Sequence, residues 1–255
     1  MLRAALIWIV LIVNSSFVAF AMEPGERERS FVKALELFDA AKSPDDYRDS
    51  AKILEAILAS GYRNGTIYYN LGNAYFRTGE YGRAILNYRN SQPYRPRDPY
   101  LKANLQQAIA AAPGRLNERP TPWWNHVLFW TDWLAFPTKA KTCVGGFCLV
   151  AILALAANYF RSSILYWSSA TILAVIIAIG IDFGIQYKHV VTTPRGVITG
   201  ETIARKGTGN TYEAAFDQPL RDGAEFQVLS ETTDWTFGHF EGIGDGWVRN
   251  EFVAR

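Results

Sequence analysis

Residues 143–187 read CVGGFCLVAILALAANYFRSSILYWSSATILAVIIAIGIDFGIQY, and they decide how the rest of the chain is arranged. No charged side chain occurs from Cys143 to Phe160 or from Ser162 to Ile181. A helix rises about 1.5 Å per residue, so each run is long enough to cross a hydrocarbon layer about 30 Å thick. Only Arg161, Ser162 and Ser163 separate the runs, which predicts a tight transmembrane hairpin with helices near 143–160 and 164–184. A pair of buried helices in a globular core is the alternative, but two successive uncharged runs of this length are rare there. Ala170, Ala174 and Ala178 recur at every fourth position and Gly180 with Gly184 forms GxxxG, small residues that let helices approach closely. A hairpin returns the chain to the side it left, so the segments before and after it face one compartment.

Just upstream, residues 113–142 form a Pro- and Trp-rich junction. The linker from Pro113 to Pro122 contains three prolines, Gly114 and Arg115, and is followed by WWNHVLFWTDWLAF with Trp123, Trp124, Trp130 and Trp133. Asn125, His126 and Asp132 make this stretch too polar to span a bilayer, and its tryptophan density predicts a helix lying in membrane lipid at the outer interface. Packing on protein is the alternative. Asp182, near the outer end of the second crossing, stands at the depth of Lys139 and Lys141. An interfacial ion pair is the expectation, with a transport role as its rival.

Residues 22–112 are expected to be helical throughout. Phe31, Leu35 and Phe38 share one helical face, and Ala51, Leu54, Ile57 and Leu58 share another. Within this region Gly65 to Asp98 reads GTIYYNLGNAYFRTGEYGRAILNYRNSQPYRPRD. Tyr68, Leu71, Gly72, Tyr75, Ala84, Tyr88 and Pro96 fall where a tetratricopeptide repeat places its large, small and terminating residues. One such unit cannot bury its own apolar face. Residues 29–60 are therefore read as a degenerate repeat, with helices near 29–41 and 46–60, and residues 99–111 as a closing helix. Stacks of this kind bind extended peptides or partner helices. Tyr69, Asn73, Phe76, Arg77 and Asn104 are the candidate partner-binding residues of the concave face. Asn73 and Asn104 could equally cap or bridge neighbouring helices.

After Lys188 the pattern changes to short apolar alternations broken by glycine. Strands are predicted over 189–193, 196–204, 224–230, 234–240, 246–249 and 251–253, which makes residues 188–255 a small all-β barrel. The segments GTGNTYEAAFDQPLRDGAEFQVL, DW and GDGWV resemble a bacterial SH3-like domain. Such domains bind peptides or cell-wall polymers, and the resemblance makes Tyr212, Trp235, Phe237 and Trp247 the surface candidates. At least one of Trp235 and Trp247 is instead expected inside the barrel.

The chain begins with Arg3, an apolar run from Ala4 to Phe20, and Ala19-Phe20-Ala21. This predicts a signal peptide over 1–21, with an uncleaved anchor as the alternative. Both soluble modules are then expected on the outer, periplasmic side of a bacterial cytoplasmic membrane. The 255 residues carry a formal charge of only +2, which gives no argument for nucleic acid. Cys143 and Cys148 are five residues apart on one helix and read as apolar side chains rather than a bridge. His126, His189 and His239 fall in separate segments, so neither metal nor cofactor is expected. No nucleophile–base pair, paired carboxylates or phosphate loop is visible, and an enzyme is not expected.

The order of export signal, tetratricopeptide repeat, tryptophan-rich junction, membrane hairpin and SH3-like barrel resembles the BatE-type aerotolerance proteins of bacteria. The nearest stretch is YYNLGNAYFRTGEYGRAILNYRNSQPYRPRDPYLKANL, Tyr68 to Leu105. The resemblance implies a non-catalytic assembly role in the cell envelope and in stress tolerance. It implies MoxR-type ATPases and membrane proteins with von Willebrand factor A domains as associates. A peptidoglycan-binding anchor acting through the barrel is the alternative function.

Overall fold

A computed structural model describes residues 22–114, 133–188 and 195–255. The signal peptide, Trp123, Trp124, Trp130 and the strand expected over 189–193 lie outside the described residues. Among those described, the chain is mostly helical, with seven α-helices and one small antiparallel sheet.

Five helices form the front block: α1 (Pro24–Ala40), α2 (Pro44–Ala59), α3 (Gly65–Thr78), α4 (Tyr81–Ser91) and α5 (Pro99–Ala111). Their ends follow from local chemistry. Ser43 and Asp46 make a reciprocal capping box at the start of α2, and Pro44 opens it. Asn64 caps α3 and Asp98 caps α5, each side chain accepting from free N–H groups of the first turn. Gly79 closes α3 with a φ of 80°, a left-handed geometry that glycine adopts without strain. Each helix packs on the next in sequence. Ala34, Leu54, Ile57, Leu71, Ala74, Ile85, Leu101 and Leu105 fill the shared core. Gly72 faces the Tyr88 ring so closely that a β-carbon there would overlap it, and this sets the α3–α4 spacing.

α6 (Phe136–Phe160) and α7 (Ser163–Tyr187) form an antiparallel pair, each long and apolar enough to cross a membrane. α6 begins seven residues before the expected Cys143. Pro137 suits the first turn of a helix, and Lys139 and Lys141, read as flanking charges, are inside it. Arg161 makes the turn at φ 49°, and Ser162 caps α7 by accepting from the Leu165 N–H. Ile176 packs against Gly146, where a β-carbon would overlap the end of the Ile176 side chain. Most large side chains of the pair are exposed, from Val144 to Phe160 and from Ile164 to Ile185.

The sheet has the order β4–β3–β2–β1–β5, all neighbours antiparallel. Its strands are β1 (Arg195–Ile198), β2 (Glu225–Glu231), β3 (Trp235–Phe240), β4 (Gly244–Arg249) and β5 (Val253–Ala254). The strand expected over 196–204 ends at Ile198. Beyond it the backbone continues only through isolated bridges, Thr202 to Leu220 and Arg205 to both Ala214 and Trp247. Residues 250–252 form a 3₁₀ turn rather than the start of a strand. Ile198, Ala204, Leu220, Ala224, Phe226, Phe240 and Val248 make its core.

Candidate functional site

The candidate partner-binding residues lie on α3 and α5. Asn73 Oδ1 accepts from Tyr88 Oη at 2.8 Å and from Asn104 Nδ2 at 2.9 Å. Asn104 Nδ2 also donates to Tyr69 Oη at 3.1 Å, and the Arg95 guanidinium lies 4.5 Å from the Tyr69 ring centroid. Burial pushes the Tyr88 hydroxyl above its ordinary range, with Tyr69 adding to the rise, so Tyr88 is held as a donor. The two asparagines therefore bridge helices. Asn73 Nδ2 and Asn104 Oδ1 are the amide atoms this network does not use. Phe76 is half-buried against Tyr81, with ring centroids 5.7 Å apart, and Arg77 is exposed. Tyr88 and Arg95 join this constellation from outside the expected set. Their spacing in sequence does not mark them, because they come from α4 and the turn after it.

On the sheet, alternation directs side chains to opposite faces. Thr236, Gly238, Phe240 and Val248 are buried, while Trp235, Phe237, His239 and Trp247 stand on the outer face and are only half-buried. Neither tryptophan is in the core of the sheet, contrary to expectation, because both occupy the outward phase of their strands. Phe237 pairs across strands with Trp247, ring centroids 5.0 Å apart, and Arg249 lies 5.7 Å from the Trp235 centroid. Tyr212 is exposed and packs against Gly207.

A third feature had no counterpart in the sequence reading: the sheet is docked on the helical block. The α4 N-terminus lacks a side-chain cap from its own Glu80. Asp222, from the turn before β2, supplies one, its two oxygens accepting from the Gly82 N–H at 3.1 and 3.2 Å. Gly114 N–H donates to the Asp222 carbonyl at 2.8 Å. A β-carbon at Gly82 would run into the Ile198 carbonyl oxygen, and one at Gly223 would meet the Ala112 side chain. Glycine at both positions is what allows the backbones to touch. Val197 belongs to the buried cluster of the helical block, and Ala254 packs on it.

No protein-family model, curated protein or solved structure matches this chain. The three surfaces are thus read from their own chemistry.

At the head of the helix pair, Lys139 Nζ lies 2.6 Å from Asp182 Oδ2 and 3.0 Å from Gln186 Oε1. Lys139 is 1% exposed, so its charge is compensated within the pair rather than by solvent. Lys141 is exposed and takes no part. Phe136 stacks on Phe183 at 4.8 Å beside them. Cys143 and Cys148 are both free thiols. Among the described residues no group of His, Cys, Asp and Glu could hold a metal ion.

Proposed function

We propose that the protein is a membrane-anchored, non-catalytic scaffold of the BatE type. In this reading α6 and α7 span the bilayer, and the helical block is a short tetratricopeptide stack. The sheet is an SH3-like barrel, and both soluble parts face the outer side. Partner proteins of the envelope, von Willebrand factor A-type membrane proteins among them, would be held in the α3–α5 groove, in connection with MoxR-type ATPases and stress tolerance. The observation that carries the reading is the Tyr69–Asn104–Asn73–Tyr88 network. It fixes two asparagines on a half-exposed face and leaves one amide donor and one amide acceptor for a peptide backbone. The test is co-purification of crosslinked envelope partners from intact cells. Asn73→Ala combined with Phe76→Ala is expected to lose them while the chain still fractionates with membranes. Undiminished recovery of the same partners would refute the groove.

The outward ladder of Trp235, Phe237 and Trp247 supports a second reading, in which the barrel holds peptidoglycan through ring stacking. Sedimentation of the full chain with purified wall material separates the two. Retention lost in Trp235→Ala and Trp247→Ala but kept in the groove variant favours the wall.

A further inference from the structure

The helix pair is tied to the front block at its outer end. The Phe136 N–H, at the first turn of α6, donates to the Pro93 carbonyl at 2.8 Å, and Arg97 lies 5.7 Å from the Trp133 ring centroid. The turn formed by residues 92–98 therefore stands at a set height above the pair. Exposed apolar surface on α6 begins at Val144. At about 1.5 Å per residue, Lys141 is about 4.5 Å and Phe136 about 12 Å from that level. Each headgroup layer of a bilayer is roughly 5–8 Å deep. With the pair inserted, Lys141 lies within that layer and Phe136, bonded to the 92–98 turn, about 4–7 Å beyond its outer edge, a distance that an extended arginine side chain covers.

Among the described residues the charges at this height are unbalanced. Arg95 is paired with Asp98, and Lys139 with Asp182. Arg97 and Lys141 are both exposed, and neither has a carboxylate partner among the described residues. Trp133 is 58% exposed and Tyr100, on the first turn of α5, is 73% exposed. Amphipathic rings of these two types favour the headgroup boundary. A guanidinium and an ammonium beside them match a phosphate-bearing surface.

We propose that the 92–98 turn and the first turns of α6 form a docking surface for anionic phospholipid headgroups, with Arg97 and Lys141 as its cations. The surface rests on the membrane reading of α6 and α7 and goes beyond the scaffold role. It holds the helical block down on the bilayer and so sets the tilt at which the groove is presented.

The experiment uses the full chain purified in detergent. Phosphatidylglycerol or phosphatidylcholine with identical acyl chains is added, and retained lipid is read by native mass spectrometry. A cation near a charged membrane surface contributes about a fivefold change in binding, so the wild type should prefer phosphatidylglycerol about thirtyfold. Arg97→Gln with Lys141→Gln should bring the two lipids level, and Arg97→Lys with Lys141→Arg should keep the preference. Equal retention by the wild type, or a preference surviving in the glutamine variant, would overturn the proposal. So would displacement of the lipid by free glycerol phosphate as effectively as by the intact phospholipid. Carbonate washing of cell membranes tests the premise separately. A chain released by carbonate sinks the membrane reading, whereas one that resists it without lipid preference sinks the headgroup surface alone.

Discussion

Arg89 on α4 and Glu225 on β2 meet through two parallel hydrogen bonds, Nε to Oε2 at 2.9 Å and Nη2 to Oε1 at 2.9 Å. The partners are 136 residues apart in sequence, on either side of the membrane-competent helix pair. Their side chains are 23% and 30% exposed, so the pair is partly shielded from water. A contact of this kind joins the helical block and the sheet into one packed body. The helix pair is then an excursion from that one body.

Removing one partner should show that the clasp contributes to stability. Arg89→Ala or Glu225→Ala is expected to cost about 2 kcal/mol, the scale of hydrogen bonds to charged groups. The exchange Arg89→Glu with Glu225→Arg should recover part of it. Denaturant melts of the full chain in detergent provide the measurement. Additive losses in the single and double alanine variants would mean that the two side chains act independently.

The glycine seam makes a sharper demand. Gly82→Val or Gly223→Val would drive a side chain into the Ile198 carbonyl or into Ala112. Gly223 also has a φ of 93°, which a β-branched residue does not tolerate. Each change should cost about 3 kcal/mol or more by overpacking and strain. It should also open the first turn of α4 to amide hydrogen exchange. Protection of the α4 amides at wild-type level would show that the contact is dispensable.

Asp222 gives the seam a pH dependence of predictable sign. Burial raises its carboxyl above the ordinary value of 3.8. The Gly82 and Tyr81 N–H groups oppose the rise, Glu80 adds to it and Arg83 opposes it. Between 3.8 and the raised value the folded chain holds more protons than the unfolded one. Stability therefore falls as pH climbs through that window and returns on acidification. Arg89 and Glu225 lie on the same seam, so the informative quantity is the difference between wild type and Asp222→Asn. That difference should shift toward the wild type as pH falls through the window between the raised value and 3.8. Parallel melting profiles in the two proteins would remove Asp222 from the account.

The Lys139–Asp182 pair should behave as a unit. Lys139→Met alone strands a carboxylate between the helices and is expected to cost about 3 kcal/mol, whereas Lys139→Met with Asp182→Leu should lie within about 1 kcal/mol of wild type. Thermal unfolding in detergent measures both. If the double variant is as unstable as the single one, the ion pair has a role other than mutual compensation.

Much of the architecture was legible because it is written in local patterns. Uncharged runs, the helical spacing of apolar residues and the terminating Pro96 each act within a few residues, so the helices could be read in order. The β-alternation of 235–240 was equally visible, but which phase faced inward was not. Trp235 and Trp247 face outward while Phe226 and Phe240 stack at 4.6 Å in the core on the other face of the sheet. Tyr88 and Arg95 escaped the groove assignment for a related reason, since they reach it only once α4 folds back on α3.

By itself, then, the chain determined the order of its helices, the uncharged runs within α6 and α7, and the switch to short strands after residue 188. Those properties depend on hydrogen bonding and hydrophobicity over one or two turns. Tertiary structure alone decided that Asp222 caps α4, that Arg89 holds Glu225, and that Lys139 rather than Lys141 meets Asp182. Each of these joins groups distant in sequence whose interaction depends on a distance of about 3 Å, and no local pattern encodes such a distance.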